Sequence, residues 1–471
     1  MRSISSLLVT VRVAIGCIAC TTVLSSCDPA SLIDAEPPST IVDPRAVHTP
    51  EGAMQLYHQA VGTFATSFGG APLGDANGGH VVLSALLTDE MMDGSGAPFG
   101  TVDERAGANL GDFFAGLYHR PRVAAQQARE ALRRYSPNVS SALHGRLHAL
   151  EAYALVFFAE VYCSGIPLTQ VPLVGSPVLT SAYSTTEVLD RAIAHFDSAI
   201  VLSADSARFI YLAKVGRGRA LLDLGRFADA KQSVTDVPLD FVYAAEFGED
   251  NHQVNTLGTR PWIAQVVDRE GDNGLVWSSD PRTAVTTAAV TGAMPLTAKY
   301  TTTNGQLTPE TAAPTTPIRL ADGLEAKLIE AEADLAGPTS GTWLSVLRML
   351  RETCIGTATC APVPGLTVTN LPVNDLADPG TPATRLDLLM RERAMWLFAT
   401  GHRQGDMRRL ARIYARNPET IWPNGIYRNL GFPPFLPTHP SNGTSYGKQY
   451  VLDHGVDTNN PLYAGCLDMD P

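Results

Sequence analysis

The sequence predicts a mainly α protein, an irregular α-α superhelix of antiparallel helix pairs interrupted by long loop-rich insertions. Three observations point there. Apolar residues recur at i, i+3, i+4 and i+7 in several long segments, the spacing that gives a helix one buried face. Helix-stopping glycines and prolines follow these segments closely enough to make neighbours antiparallel. Between residues 234 and 318 the helical period fades into a stretch rich in Thr, Gly and Pro.

The composition, 45% hydrophobic and 17% charged over 471 residues, gives ample core and excludes disorder throughout. A net charge of −12 excludes a nucleic-acid partner, which needs a basic face. At the start, Arg2 precedes an apolar run from Val13 to Leu24, too short to span a bilayer. The run ends in Leu24-Ser25-Ser26-Cys27, which resembles a bacterial lipobox, so residues 1–26 read as a lipoprotein signal peptide. The resemblance implies acyl chains on Cys27; each buried methylene contributes roughly 0.8 kcal/mol, so two or three chains anchor durably. Asp28 at the next position bears on sorting between membranes. Cleavage takes Arg2 and Arg12 and no acid, moving the net charge from −12 to −14. Residues 27–50, with Pro37, Pro38, Pro44 and Pro50, read as an extended tether.

The body, 51–471, opens with a helix over Glu51–Ser67, entered through Thr49-Pro50 and burying Leu56, Ala60, Val61 and Phe64. A short helix over Val81–Glu90 follows. Long helices are expected over Phe113–Tyr135 and Ser140–Cys163, the second stopped by Gly165 and Pro167. Thr185-Thr186-Glu187 opens a helix to Leu202, partnered by Ala207–Leu224. Leu224-Gly225-Arg226-Phe227-Ala228-Asp229-Ala230 looks like a tetratricopeptide-repeat turn. Asp322–Leu335 with Thr342–Glu352 makes a third pair. The fourth pairs a helix through Leu386, Leu389, Met390, Ala394 and Leu397 with one through Met407 and Leu410. Gly401 stops the first, Asp406 caps the second, and Arg403, Arg408 and Arg409 crowd around that carboxylate.

Gly401-His402-Arg403, two residues, Asp406, then Arg409 resembles the C-terminal signature of the SusD/RagB family. That pattern also carries two glutamates, where this chain has Trp396 and Thr400. Leu87-Thr88-Asp89-Glu90, the turn Tyr162-Cys163-Ser164-Gly165-Ile166-Pro167-Leu168, Leu436-Pro437-Thr438-His439-Pro440 and Asn460-Pro461-Leu462-Tyr463 resemble further family segments, in family order. The resemblance implies a surface-exposed lipoprotein on the cell outer membrane. It would bind a nutrient, most often an oligosaccharide, and deliver it to a SusC-like TonB-dependent transporter. A lipid-anchored tetratricopeptide-like scaffold for envelope proteins would share the layout. The family binds and does not catalyse, needs no cofactor, and the chain has no G-x-S-x-G elbow.

Ligand stacking is expected of Trp262, Trp277 and Tyr300 in the insertion, and of Phe99, since aromatic faces pack on the apolar face of a sugar ring. His144, His148 and Glu151 share a helix face but lack a zinc motif, and read as a solvated face. Asp268 to Gly274 has the composition of a calcium loop without its spacing, and reads as a polar turn. No metal is assigned. In an oxidising compartment Cys354 with Cys360, and Cys163 with Cys466, are the disulfide candidates. The tail from about residue 416 to 471 is irregular.

Overall fold

The computed structural model describes residues 48–471, apart from 71–77, 94–98, 107–110, 249–254, 257–263, 266–268, 278–279, 281, 283–314, 316, 338–340, 355–375, 429–440 and 456–458. Cys27 and the signal and tether expectations, except for the last residues before the body, fall outside them. So do Trp262, Tyr300, Cys360, Asp268 and the Leu436–Pro440 segment.

The helices are α1 (Pro50–Gly69), α2 (Gly79–Leu86), α3 (Phe99–Asp103), α4 (Gly111–Tyr135), α5 (Ser141–Val161), α6 (Thr185–Leu202), α7 (Ala207–Asp223), α8 (Phe227–Val234), α9 (Gly323–Ala336), α10 (Trp343–Cys354), α11 (Pro382–Trp396) and α12 (Arg403–Arg412). Local chemistry sets several starts. Thr49 Oγ1 accepts the Gly52 amide, and Ser140 Oγ accepts that of Ala142. Ser184 and Glu187 form a reciprocal capping box at α6, each side chain accepting the other's backbone amide.

From α4 to α10 each helix packs on the next, which gives the tetratricopeptide-like superhelix; α1 lies along α4. The short α8 sits between α7 and α9. Glycines make the close approaches possible. A Cβ on Gly216 would lie 2.4 Å from the Phe196 ring, and one on Gly218 2.7 Å from Val234. The Gly-Arg-Gly-Arg run of α7 therefore serves helix packing.

The fourth expected pair differs. α11 packs against α9, whereas α12 packs against α5, α2 and α7, so the two do not lie along each other. Asp406 is not the cap of α12 either: His402 holds that position without a side-chain bond, and Asp406 sits inside the first turn.

Among the described residues the strands form three two-stranded sheets, and no helix is long and apolar enough to cross a membrane. β4 (Val242–Ala245) pairs antiparallel with β6 (Ile318–Asp322), closing the base of the insertion. β1 (Met92–Asp93) pairs with β5 (Ala264–Gln265), and β2 (Ile166–Pro167) with β3 (Ala182–Tyr183). The tail is stitched back to the end of α5. Cys163 is disulfide-bonded to Cys466 with Cα atoms 6.0 Å apart, and the Cys163 amide donates to the Leu452 carbonyl. Cys354, buried at the end of α10, is also disulfide-bonded.

Candidate functional site

The C-terminal motif is a buried ion network. Arg409, 2% exposed, donates to both oxygens of Glu332 (2.6 and 2.9 Å), to Asp223 (2.8 Å) and to Asp406 (2.7 Å). Arg393 reaches Asp406 from α11 at 2.9 and 3.0 Å. Burial alone would raise the Asp406 carboxyl; Arg393 and Arg409 outweigh it and hold the group well below the usual carboxylate range. The other two arginines lie elsewhere than expected. Arg403 forks onto Asp89 (2.8 and 3.1 Å), and Arg408 donates to the Ala159 and Tyr162 carbonyls at the C-terminal end of α5. Those carbonyls have no helical partner, so the cation fills the place of a cap.

Gly401 is not the stop of α11, which ends at Trp396 with Leu397 as its C-cap; it lies at φ +78° just before α12, and its carbonyl is shared. It accepts from His80 Nε2 (2.9 Å) and from Arg219 Nη2 (2.8 Å), while Arg219 also forks onto Glu160 at 2.6 Å twice. With Nε2 donating, His80 Nδ1 accepts from the Tyr118 hydroxyl at 3.1 Å. Of the two positions where the family pattern has glutamates, Trp396 is buried under the Arg282 guanidinium, 4.8 Å from its ring, and Thr400 bonds His402 Nδ1 at 2.8 Å. Glu392, one turn before Trp396, forks onto Arg282 and also takes Arg351.

Burial shifts several groups of the core toward their neutral forms. Burial raises Glu325 to about 7 against the pull of Arg219 and Arg393, and raises Asp103 to about 8 against hydrogen bonds from Tyr427 and the Asp93 amide. Burial, then nearby arginines, pushes His80, His119 and His402 well below 6.5. A carboxyl raised on folding stabilises fully below its unfolded value near 4 and loses that contribution as pH rises through 7 to 8. A lowered histidine stabilises above 6.5 and loses its contribution as pH falls below it. Thermal stability should therefore peak near pH 6.5 and fall on both sides. Glu325→Gln, which resembles the protonated form, should flatten the alkaline limb in melts followed by circular dichroism between pH 6.5 and 9. An unchanged alkaline limb would remove Glu325 from this account.

The aromatic expectations need correction. Trp277 is fully buried, its ring 4.6 Å from that of Phe398, and its indole N–H donates to the Asp89 carbonyl. It pins the insertion to the helical body and has no surface to offer a ligand. Phe99 is 3% exposed, packed on Phe114 at 5.5 Å. The polar run before Trp277 also bonds protein: Asp272 N donates to the Asn424 carbonyl (3.0 Å), and Asn273 Nδ2 to the Trp422 carbonyl (2.8 Å).

The helix face carrying His148 and Glu151 is half covered, not solvated. His148 Nδ1 lies 3.0 Å from His195 Nδ1 on α6, and Glu151 pairs with Arg129 of α4. His148 is lowered to about 2 by burial and the nearby Arg129. Among the described residues, the potential metal ligands that converge are Cys163, Asp453 and Cys466, and the two sulfurs there are joined to each other.

The same face borders an open cavity of about 190 Å³, lined by Arg122, Gln126 and Arg129 of α4, Glu151 and Leu155 of α5, Arg191 and His195 of α6, and Leu168 and Gln170 from the segment between β2 and β3. The arginines and Gln126 follow helical spacing on α4, so one stripe of that helix forms one wall.

No protein-family model and no curated protein matches the chain. Solved structures do. A SusD-like protein of Bacteroides fragilis superposes with TM-score 0.58 at 12% identity, covering 92% of this chain and 100% of its own. A SusD superfamily protein of Parabacteroides distasonis gives 0.58 at 12%, covering 88% and 98%. A putative sugar-binding protein of Bacteroides vulgatus gives 0.56 at 12%, covering 89% and 98%. The chain has the SusD-like fold over almost its whole described length, as the motif order in the sequence suggested.

Proposed function

We propose that the protein is a SusD-like nutrient-binding lipoprotein of the cell outer membrane, anchored through Cys27, which binds an oligosaccharide and passes it to a SusC-like TonB-dependent transporter. The observation that carries this reading is the end-to-end agreement in fold with proteins described as SusD-like or sugar-binding. The lipobox-like Leu24-Ser25-Ser26-Cys27 and the motif around Gly401, Arg403, Asp406 and Arg409 support it independently. The function needs no covalent step. Capture must be tight enough to hold cargo and weak enough to release it, and a tether lets the body move while staying at the membrane. The residues beyond Val242–Ala245, including Trp262 and Tyr300, remain the proposed sugar-stacking surface.

Labelled palmitate should enter the wild-type protein and not Cys27→Ser, and an affinity-tagged protein should bring down an outer-membrane barrel of transporter size. A neutral-glycan panel should give at least one ligand. Unlabelled protein free of any barrel would sink the anchored-transport reading. A partner set of envelope-assembly proteins would favour the scaffold.

A further inference from the structure

The cavity between α4, α5 and α6 has a charge opposite to that of the molecule. The chain as a whole carries −12, yet three guanidiniums line this recess against one carboxylate. Glu151 is taken by Arg129, and His195 Nδ1 stands 3.6 Å from it. Burial, with the nearby arginines, keeps His148 and His195 lowered and so neutral at pH 7; they neither add to the positive charge nor cancel it. Among the described residues neither Arg122 nor Arg191 forms a close ion pair, though Glu151 acts on the first and Glu187 on the second through space.

Arg122 is the unusual one. It is 4% exposed, and among the described residues its Nε has no hydrogen-bond partner and its one bond runs from Nη2 to the Thr169 carbonyl at 2.5 Å. A guanidinium has five donors, and Arg122 uses one of them on the Thr169 carbonyl, so an anion in the recess would accept from others. Arg191 is exposed and lines the recess, its Cζ 4.0 Å from the centre of the Tyr183 ring, a contact that restrains the side chain. Two guanidiniums lining one small recess suit a carboxylate, the planar anion that arginine binds through paired hydrogen bonds.

Size and the remaining lining narrow the ligand. A cavity of about 150 Å³ holds a benzene ring, so one of about 190 Å³ takes a single six-membered ring. Gln126 and Gln170 offer amides that both donate and accept, which suits ring hydroxyls, and Leu155 and Leu168 offer an apolar side for the ring's CH face.

We propose that this recess binds a carboxylate-bearing sugar ring, a uronic acid at the end or branch of a glycan, through Arg122 and Arg191. The sugar part rests on the reading of the protein as a glycan binder; the anion part stands on the charges of the recess itself.

Titration calorimetry of the full-length protein with glucuronate, galacturonate, glucose and acetate at low and moderate salt tests it. A uronate should bind at least roughly tenfold more tightly than glucose or acetate and weaken with salt. Arg191→Gln, at an exposed position that leaves the fold intact, should weaken uronate binding about tenfold. Arg122→Gln should abolish it while thermal melts confirm folding. Equal affinity for uronate and glucose, acetate as tight as uronate, or binding unaffected by Arg191→Gln would each overturn the proposal. If neutral glycans bind and uronates do not, the recess assignment fails while the glycan-binding function stands; if no glycan of either kind binds, both fail.

Discussion

Arg409→Ala is expected to lower folding stability by about 3–5 kcal/mol, the range for removing one partner of a buried ion pair. Arg409 satisfies Glu332, Asp223 and Asp406 at once, and those carboxylates come from α9, α7 and α12. The loss is greater than that of a surface pair, about 0–1 kcal/mol, because the carboxylates left behind, Glu332 and Asp406 above all, are buried. Arg393 would still hold Asp406, but Glu332 would keep only the 3.4 Å approach of Arg393 and the Tyr414 hydroxyl. Denaturant unfolding checks this. Since the alanine variant sits near the limit of foldability, Arg409→Lys provides the graded case: one charge is kept, the fork is lost, and an intermediate loss should follow. A change below about 1 kcal/mol for the alanine variant would mean that the network is decoration on a fold held by its apolar core.

That network shows where sequence reasoning succeeded and where it stopped. Helices were legible because one apolar face at a period of 3.6 is a local signal; Thr185-Thr186-Glu187 marked the start of α6, and the structure adds Ser184 as its cap. The order Gly401, Arg403, Asp406, Arg409 was legible too. Their partners were not. Three arginines within seven residues of one aspartate suggest a local cluster, yet Arg403 goes to Asp89 and Arg408 to the end of α5, more than two hundred residues away. Sequence proximity favours pairing only where the chain has no better-desolvated partner, and here it had several.

The recess was hidden for a related reason. Arg122, Gln126 and Arg129 look like an exposed polar stripe on α4, and so does the stripe of Arg191 and His195 on α6. Each stripe alone is an ordinary solvated face. Only the packing of the helices brings the two faces to one recess and buries Arg122, and crossing angles are set by core side chains on the opposite faces. A signal did exist: a cationic stripe in a chain of net charge −12 is out of keeping with its surroundings.

Trp277→Ala should cost about 3–5 kcal/mol, as expected for truncating a large buried aromatic, because its ring fills space between the insertion and the segment that follows α11. Loop aromatics read the same in a sequence whether they face a ligand or a core, since both need a large apolar surface with one polar handle. The handle decides the case: the indole N–H is spent on the Asp89 carbonyl. Asp89 also receives Leu275 N at 2.9 Å and the Arg403 fork, so one aspartate joins the insertion, α12 and the segment after α2. Loss of the indole should therefore loosen that junction first. Hydrogen exchange should speed up at Leu275 and around Phe398 before the α5–α7 core responds, and Trp277→Phe should recover part of the packing but not the hydrogen bond. Glycan affinity should fall only as far as the folded fraction falls. Unchanged stability together with lost glycan binding would return the indole to a ligand surface and undo the latch.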